Sequence, residues 1–517
     1  MFVNNFDAIF ETNNTQNEKT AFQSKSYKII FYFFALLYNK IMEKVFDYAI
    51  FGAGVVGSCI FDKLTSLGQS AILLEKNMDV ATGQSKANTA LVHAGFDAKP
   101  NTLKAKLNVL GNQMYEDICM RLGIPFERCG AVVVDKTRDV LDKLLLRGQQ
   151  NGVKDLEIIS DQKLYDLVPN LKKDYKFGLW AKSAGIVSPF LFAIALCEEA
   201  VVNGGQVLFD FDATKITFCD DVFEIERKNA KIFAKKVINC AGFGYNQIAK
   251  LLGEKELDIK FRRGEYFVLD NNAKGFVNVS VFPAPSDMGK GILATPTIDG
   301  NILLGPNAQD CGWDTKTTSE GLKQVKDGIN QMFDNVPWKS AIRIYSGIRT
   351  IVGDDFVIEL GKNPNVVNIA GICSPGLSSS PAIAEYVCKD LLCIVAKEKQ
   401  MKKRCPYVDM NKLSFEQQNQ IISQNKQFGK IVCKCEKVSE GEILQAINSP
   451  LRPKSIDGIK KRVRAGMGRC QGGFCTIKVA KLIAEQNGCK MEDVIKENQN
   501  SNICLQNFEN GFWEGDK

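Results

Sequence analysis

Apolar positions change period twice between residues 46 and 75, and each change marks an element. Phe46 to Phe51 reads as an apolar strand. After Gly52-Ala53-Gly54-Val55-Val56-Gly57 the spacing becomes helical, with Val56, Ile60 and Leu64 on one face. A second buried strand, Ala71 to Leu74, closes at Glu75. The order strand, glycines, helix returns in "KKVINCAGFGYNQIAKLLG" and again in "NVVNIAGICSPGLSSSPAIAEYVCKDLL". These pieces lie more than a hundred residues apart, so a second domain interrupts the first. Towards the C-terminus the period is helical: Ser439 and Glu442 form a capping box opening one helix, and "TIKVAKLIAEQ" supplies another. At the front, ten apolar or aromatic residues run from Ile29 to Tyr38, about half of a membrane span. Asp7, Glu11 and Glu18 precede that run and no small-residue cleavage site follows it. Residues 1–42 are therefore expected to be a leader outside the fold, and the Asn- and Glu-rich stretch 486–517 a loosely ordered tail.

A length of 517 residues suggests two to four structural units. With 45% hydrophobic and 24% charged residues, the composition is that of an ordinary globular protein. The net charge of +7 is spread without long basic runs. That argues against nucleic acid and suits an anionic small substrate. Seventeen cysteines are many. Thirteen of them read as small buried residues of a reducing compartment, and four form a spacing of their own.

The front motif has a physical reading. Gly52 permits a tight turn, Gly54 lets the backbone approach a pyrophosphate at a helix N-terminus, and Gly57 lets helix and strand pack closely. Glu75, 18 residues past Gly57, can accept from an adenosine ribose, which favours FAD or NAD over NADP. No second such unit occurs. At the back, Cys433 and Cys435 form CxC, and Cys470 and Cys475 form CxxxxC after 34 intervening residues. Four thiolates suggest zinc or an iron–sulfur cluster; the spacing lacks the CxxC knuckles usual for zinc. Glycines around Cys470 and Cys475 would let backbone amides approach cluster sulfides.

Residues 45–395 resemble the D-amino-acid-oxidase-like flavoproteins, in particular the glycerol-3-phosphate dehydrogenase and 2-hydroxyglutarate oxidase branch. The resemblance rests on "GQSKANTALVHAGFD", "RRGEYFVLD", "KGILATPTIDGNILLGP" and "SGIRTIVGDDFVI", in that order. It implies an α/β fold: a Rossmann-like FAD-binding domain at 43–395, interrupted at about 126–189 and 256–344 by an antiparallel-sheet substrate domain. It implies FAD contacts at Gly52, Gly54, Gly57, Glu75 and Lys76 for the adenosine and pyrophosphate end, and at Ser85 and Asn88 in the flavin loop. Gly242 joins this set, with Gly376, Leu377 and Ser378 where the last helix starts. The amides opening that helix would favour the negative charge of a reduced flavin.

His93, the single histidine, closes the loop that the resemblance lays against the flavin. An imidazole there is the natural acceptor for a substrate hydroxyl proton. Packing on the flavin and a covalent histidyl link are the rival readings. Lys290 and Arg349 match positions facing an anionic substrate, with Arg263 and Ser378 as weaker candidates. Residues 430–485 resemble a bacterioferritin-associated-ferredoxin-like [2Fe–2S] domain, small and helical, joined through a connector at 396–429. Its metal ligands would be Cys433, Cys435, Cys470 and Cys475.

The expected activity is oxidation of sn-glycerol 3-phosphate to dihydroxyacetone phosphate, with electrons leaving through the cluster to an acceptor protein or a quinone-linked subunit. The alternatives are a 2-hydroxy acid as substrate, or a non-catalytic iron–sulfur subunit with electron-transfer or regulatory duty. The expected location is the cytoplasm, with any membrane association running through a partner.

Overall fold

The structure, a computed structural model, describes residues 44–228, 230–285 and 291–504. The expected leader, Lys290 and the end of the expected tail lie outside these residues. An eight-stranded sheet forms the first domain. At its centre Val45–Phe51 pairs in parallel with Ala71–Leu74 on one side and Ala230–Asn239 on the other. Gln206–Leu208 extends one side, and Val366–Ala370 joins Ala230–Asn239 in parallel. The strand–glycine–helix pieces of the sequence thus meet in one sheet. Helix Val55–Ser66 runs between them and is buried along its whole length, not on one face only. Its polar residues are buried in pairs: Asp62 binds Arg121, and Lys63 bridges Glu385 and Glu398.

A nine-stranded sheet forms the second domain. Its pairings are antiparallel except where Ser280–Pro283 meets Ala131–Asp135. Lys260–Leu269 pairs along its length with Ala341–Ile351, and this pair reaches the first domain. A Cβ on Gly347 would sit 2.0 Å from the carbonyl oxygen of Ala87, so strand and flavin loop touch backbone to backbone. The seam between the domains is therefore a glycine contact.

The C-terminal part packs helices Glu440–Ile447, Ile456–Val463 and Thr476–Asn487 around their own apolar core. The capping box forms, with Ser439 Oγ accepting from the amide of Glu442 and the Glu442 carboxylate accepting from the amide of Ser439. As far as Cys504 the tail is better packed than its composition suggests, because Val494 closes this core and Glu497 pairs with Lys86. The single cysteines also depart from expectation. Of the thirteen, only Cys59, Cys119, Cys197 and Cys388 are buried, while Cys219, Cys393, Cys405 and Cys489 are exposed. Among the described residues no helix is long and apolar enough to cross a membrane.

Candidate functional site

One cavity of about 1190 Å³ runs from the glycine turn to the seam. Gly52, Gly54, Glu75, Lys76, Ser85, Asn88, His93, Gly242, Arg349, Gly376 and Leu377 all line it. Gly57 and Ser378 do not, for different reasons. Gly57 is pressed against the sheet, where a Cβ would lie 1.9 Å from the Gly52 carbonyl oxygen. Gly52 has φ +100°, a conformation that glycine adopts without strain. Ser378 is fully buried, and its Oγ accepts the backbone N–H of His93 at 2.7 Å. It holds the histidine and does not face the cavity.

The adenosine end is prepared for a ligand. Glu75 Oε2 accepts from the amide of Ala53 at 2.8 Å, and Oε1 accepts from the amide of Asn77 at 2.9 Å. Burial pushes the Glu75 carboxyl above its usual range, and these hydrogen bonds pull it only partly back. The Asn77 side chain also donates to Oε1, at 3.0 Å, and a carboxylate has a lone pair beyond these three bonds, so a ribose hydroxyl finds an acceptor there. Lys76 is exposed and paired with Asp212 at 3.1 Å, a place on the rim. Ser85 Oγ accepts from the amide of Val55 at 2.9 Å, tying the flavin loop to the start of the helix. Asn88 binds within its own loop, to Gln84, Ser85 and Ala90.

At the seam, His93 is half-buried. Its ring lies 6.1 Å from that of Phe282, and its Nε2 is 3.4 Å from the hydroxyl of Ser374. Asn112 Nδ2 donates to its carbonyl at 3.1 Å. In the same cavity, Arg349 lies over Gly264, where a Cβ would come within 2.9 Å of Nη2. The gap left by that glycine is where the guanidinium sits. Arg262 stands directly opposite Arg349 on the neighbouring strand and lines the same wall. Asp310 accepts from its Nε at 2.7 Å but is itself 77% exposed on the side chain.

The sequence reading named Arg263, one position too far. Strand side chains alternate faces, and Arg263 turns away to pair with buried Glu265 at 3.1 Å. The run Arg262-Arg263-Gly264 contained the signal. What it lacked was the strand register. Ser374 and Asn112, which hold His93 from two other elements, had no sequence signal.

The four cysteines form two pairs. Cys433 is hydrogen-bonded to Cys475, and Cys435 to Cys470. The contact with Cys475, aided by the amides of Gly466 and Glu436, brings the Cys433 thiol down to about 6 against its burial. The amides of Phe474 and Gly472 point at Cys470. A Cβ on Gly468 would lie 2.5 Å from Cys435 Cβ, so the loop closes only on glycine. Among the described residues no three such ligands converge as one metal ion requires. Two thiol pairs with amides aimed at sulfur fit a two-iron cluster better than a single tetrahedral zinc.

Residues 47–389 match the FAD-dependent oxidoreductase family (DAO), and residues 431–485 match the BFD-like [2Fe–2S] binding domain. The chain is 40% identical over 471 residues to a glycerol 3-phosphate dehydrogenase of Caloramator mitchellensis, covering 89% of this chain and 98% of the relative. It is 28% identical to a mitochondrial L-2-hydroxyglutarate dehydrogenase of Nematostella vectensis, over 61% of this chain and 71% of the relative. Among solved structures, it is similar to dithionite-reduced L-alpha-glycerophosphate oxidase from Mycoplasma pneumoniae with FAD bound. That match has a TM-score of 0.65 at 28% identity and covers 69% of this chain and 97% of that one.

Proposed function

The chain belongs to the FAD-dependent oxidoreductase family and carries a BFD-like [2Fe–2S] domain, and from that premise we propose that it oxidises sn-glycerol 3-phosphate to dihydroxyacetone phosphate. Bound FAD supplies the hydride acceptor, and the cluster supplies one-electron transfer to an outside acceptor. Gly52, Gly54, Glu75, Gly242, Gly376 and Leu377 would hold the flavin nucleotide, and Cys433, Cys435, Cys470 and Cys475 the cluster.

The observation that carries the substrate reading is the pair Arg349 and Arg262, side by side on neighbouring strands and lining the same cavity as His93. A phosphate places two negative charges on one compact group, and two adjacent guanidiniums match it. The carboxylates of a 2-hydroxy diacid are separated by carbons and use such a pair less well. Asp310 offsets part of the Arg262 charge, but its exposure screens that contact. The family resemblance adds Lys290 as a further cation. His93 takes the hydroxyl proton at Nε2 as the substrate C–H bond breaks, and the Ser374 hydroxyl is the next oxygen along. Ser378 and Asn112 fix the backbone of His93, so the imidazole is aimed before substrate arrives.

The test compares sn-glycerol 3-phosphate with L-2-hydroxyglutarate in steady state, with the ketone products quantified. Glycerol 3-phosphate is expected to have at least about a hundredfold higher kcat/KM, on the order of 2.7 kcal/mol of discrimination. Arg349→Lys should retain little of that preference, because an ammonium cannot reproduce the fork. Equal turnover of the two substrates would overturn the phosphate reading.

A further inference from the structure

We propose that the exposed face around the four cysteines is a docking surface for an acidic one-electron carrier protein. The inference rests on the relay reading above and names the partner it requires. Charge is the first observation. Residues 430–485 hold twelve lysines and arginines against five acids, which equals the whole chain's net charge of +7. The other 461 residues balance. The charge is thus less dispersed than the sequence-wide view suggested.

Part of that charge faces inward. Lys461 and Arg462 bind Asp79, and Arg464 binds Asp299 and Glu436. Around the cysteines it faces outward. Lys434 sits between Cys433 and Cys435, Lys437 follows two residues later, and Lys478 lies one turn beyond Cys475. All three are exposed, and none makes an ion pair among the described residues. The one acid within this loop, Glu436, is turned inward to Arg464.

The second observation is apolar. Phe474, next to Cys475, is 82% exposed, and Ile477 is 58% exposed. An aromatic ring left in water beside a redox site, ringed by unpaired lysines, has the anatomy of a small transient interface: one apolar anchor with a charged rim. Such encounters are small and electrostatically steered. A lipid surface fits less well, since two apolar side chains do not make the broad apolar face of an interfacial helix.

The electron count sets the stoichiometry. Oxidising one secondary alcohol to a ketone releases two electrons and two protons. Two carrier molecules are therefore each reduced by one electron, in sequence at the same face. One proton passes to His93, and both end in solvent.

The test uses the full chain loaded with FAD and cluster, with acidic plant plastocyanin as probe, a one-electron carrier whose potential lies well above that of a secondary alcohol. Calorimetric affinity is measured at low and physiological salt beside plastocyanin-linked and dye-linked turnover. Cluster absorbance and circular dichroism check that each variant is folded. The double variant Lys434→Glu/Lys478→Glu should weaken binding by about tenfold or more at low salt and flatten the salt dependence. Phe474→Ser should weaken it by roughly tenfold at both salt levels. Turnover with a dye that takes electrons directly from flavin should not change.

Unchanged affinity in both variants would overturn the proposal, as would tighter binding of a basic cytochrome. Lysine-dependent sedimentation with phosphatidylglycerol vesicles and no plastocyanin binding would assign the face to lipid instead. Self-association lost in Phe474→Ser would assign it to a second copy. If plastocyanin binds as expected but a cluster-free Cys470→Ser variant reduces it equally well, the relay reading fails while the docking face stands.

Discussion

His93 owes its position to residues far away in sequence. Ser378 accepts its N–H, Asn112 donates to its carbonyl, and its Nε2 is near Ser374. His93→Ala removes only the imidazole and leaves those backbone contacts in place. FAD should stay bound, while reduction of the flavin by substrate slows by roughly two to four orders of magnitude, the usual share of a general base. Anaerobic stopped-flow absorbance checks this. Loss of FAD with full activity on resupply would make the histidine a cofactor anchor. At this scale the sequence was legible where chemistry is local. The turn glycines and Glu75 stand at fixed offsets, and their spacing carries their role. The choice between Arg262 and Arg263 was not, because a one-residue shift on a strand reverses the face and only the pairing partner decides it. The resemblance places Ser378 with Gly376 and Leu377 at the start of the last helix, and only those two line the cavity. The Ser378 side chain points to His93.

Helix Leu103–Leu122 meets the start of helix Gly376–Tyr386 at Gly111, where a Cβ would lie 2.1 Å from the carbonyl oxygen of Ser378. Tyr115, one turn on, is fully buried and donates its hydroxyl to the carbonyl of Leu377. The two helices thus approach at backbone distance beside the residue that holds His93. Gly111→Ala must push them apart. The expected result is a loss of about 1–3 kcal/mol from overpacking, together with slower flavin reduction, since Ser378 moves with its helix. Thermal unfolding and single-turnover kinetics on one preparation measure both. A destabilised variant with wild-type flavin reduction would show that the helix start tolerates displacement. Element types were largely legible, because periodicity and glycine breaks are local signals. The Gly111 contact was not, since it depends on an element more than 260 residues away.

The cluster domain is clamped across both flavoprotein domains. Arg462 binds Asp79 bidentately at 2.8 and 3.0 Å, and Lys461 donates to the carbonyl of Val80 at 2.8 Å, both on the nucleotide domain. Arg464 reaches Asp299 at 2.7 Å and Arg469 reaches Asp270 at 2.9 Å on the substrate domain. In the connector, Arg404 is buried and bound to Glu198 at 3.1 Å. The cluster domain is therefore held in a fixed position. Burial alone would raise the Asp79 carboxyl, but Arg462 and Lys461 outweigh it and hold the group well below the usual carboxylate range. The folded pKa lies below the unfolded one, so this contribution is complete above about pH 4 and is lost as the pH falls further. Asp79→Asn removes the carboxylate that Lys461 and Arg462 share, leaving Arg462 with only the more distant Glu198 at 3.6 Å, and should cost about 3–5 kcal/mol of docking. Faster proteolytic cleavage between residues 396 and 429 at neutral pH checks it. An uncleaved connector would mean that the other contacts suffice. None of this clamp was legible, because Asp79 and Arg462 are 383 residues apart.

The most direct measurement follows flavin absorbance and one-electron acceptor reduction together, anaerobically, in wild type and Cys470→Ser. With sn-glycerol 3-phosphate both proteins should bleach their flavin at the same rate, and only the wild type should sustain acceptor turnover. Flavin left unbleached by glycerol 3-phosphate, or equal acceptor turnover by the cluster-free variant, would contradict the account.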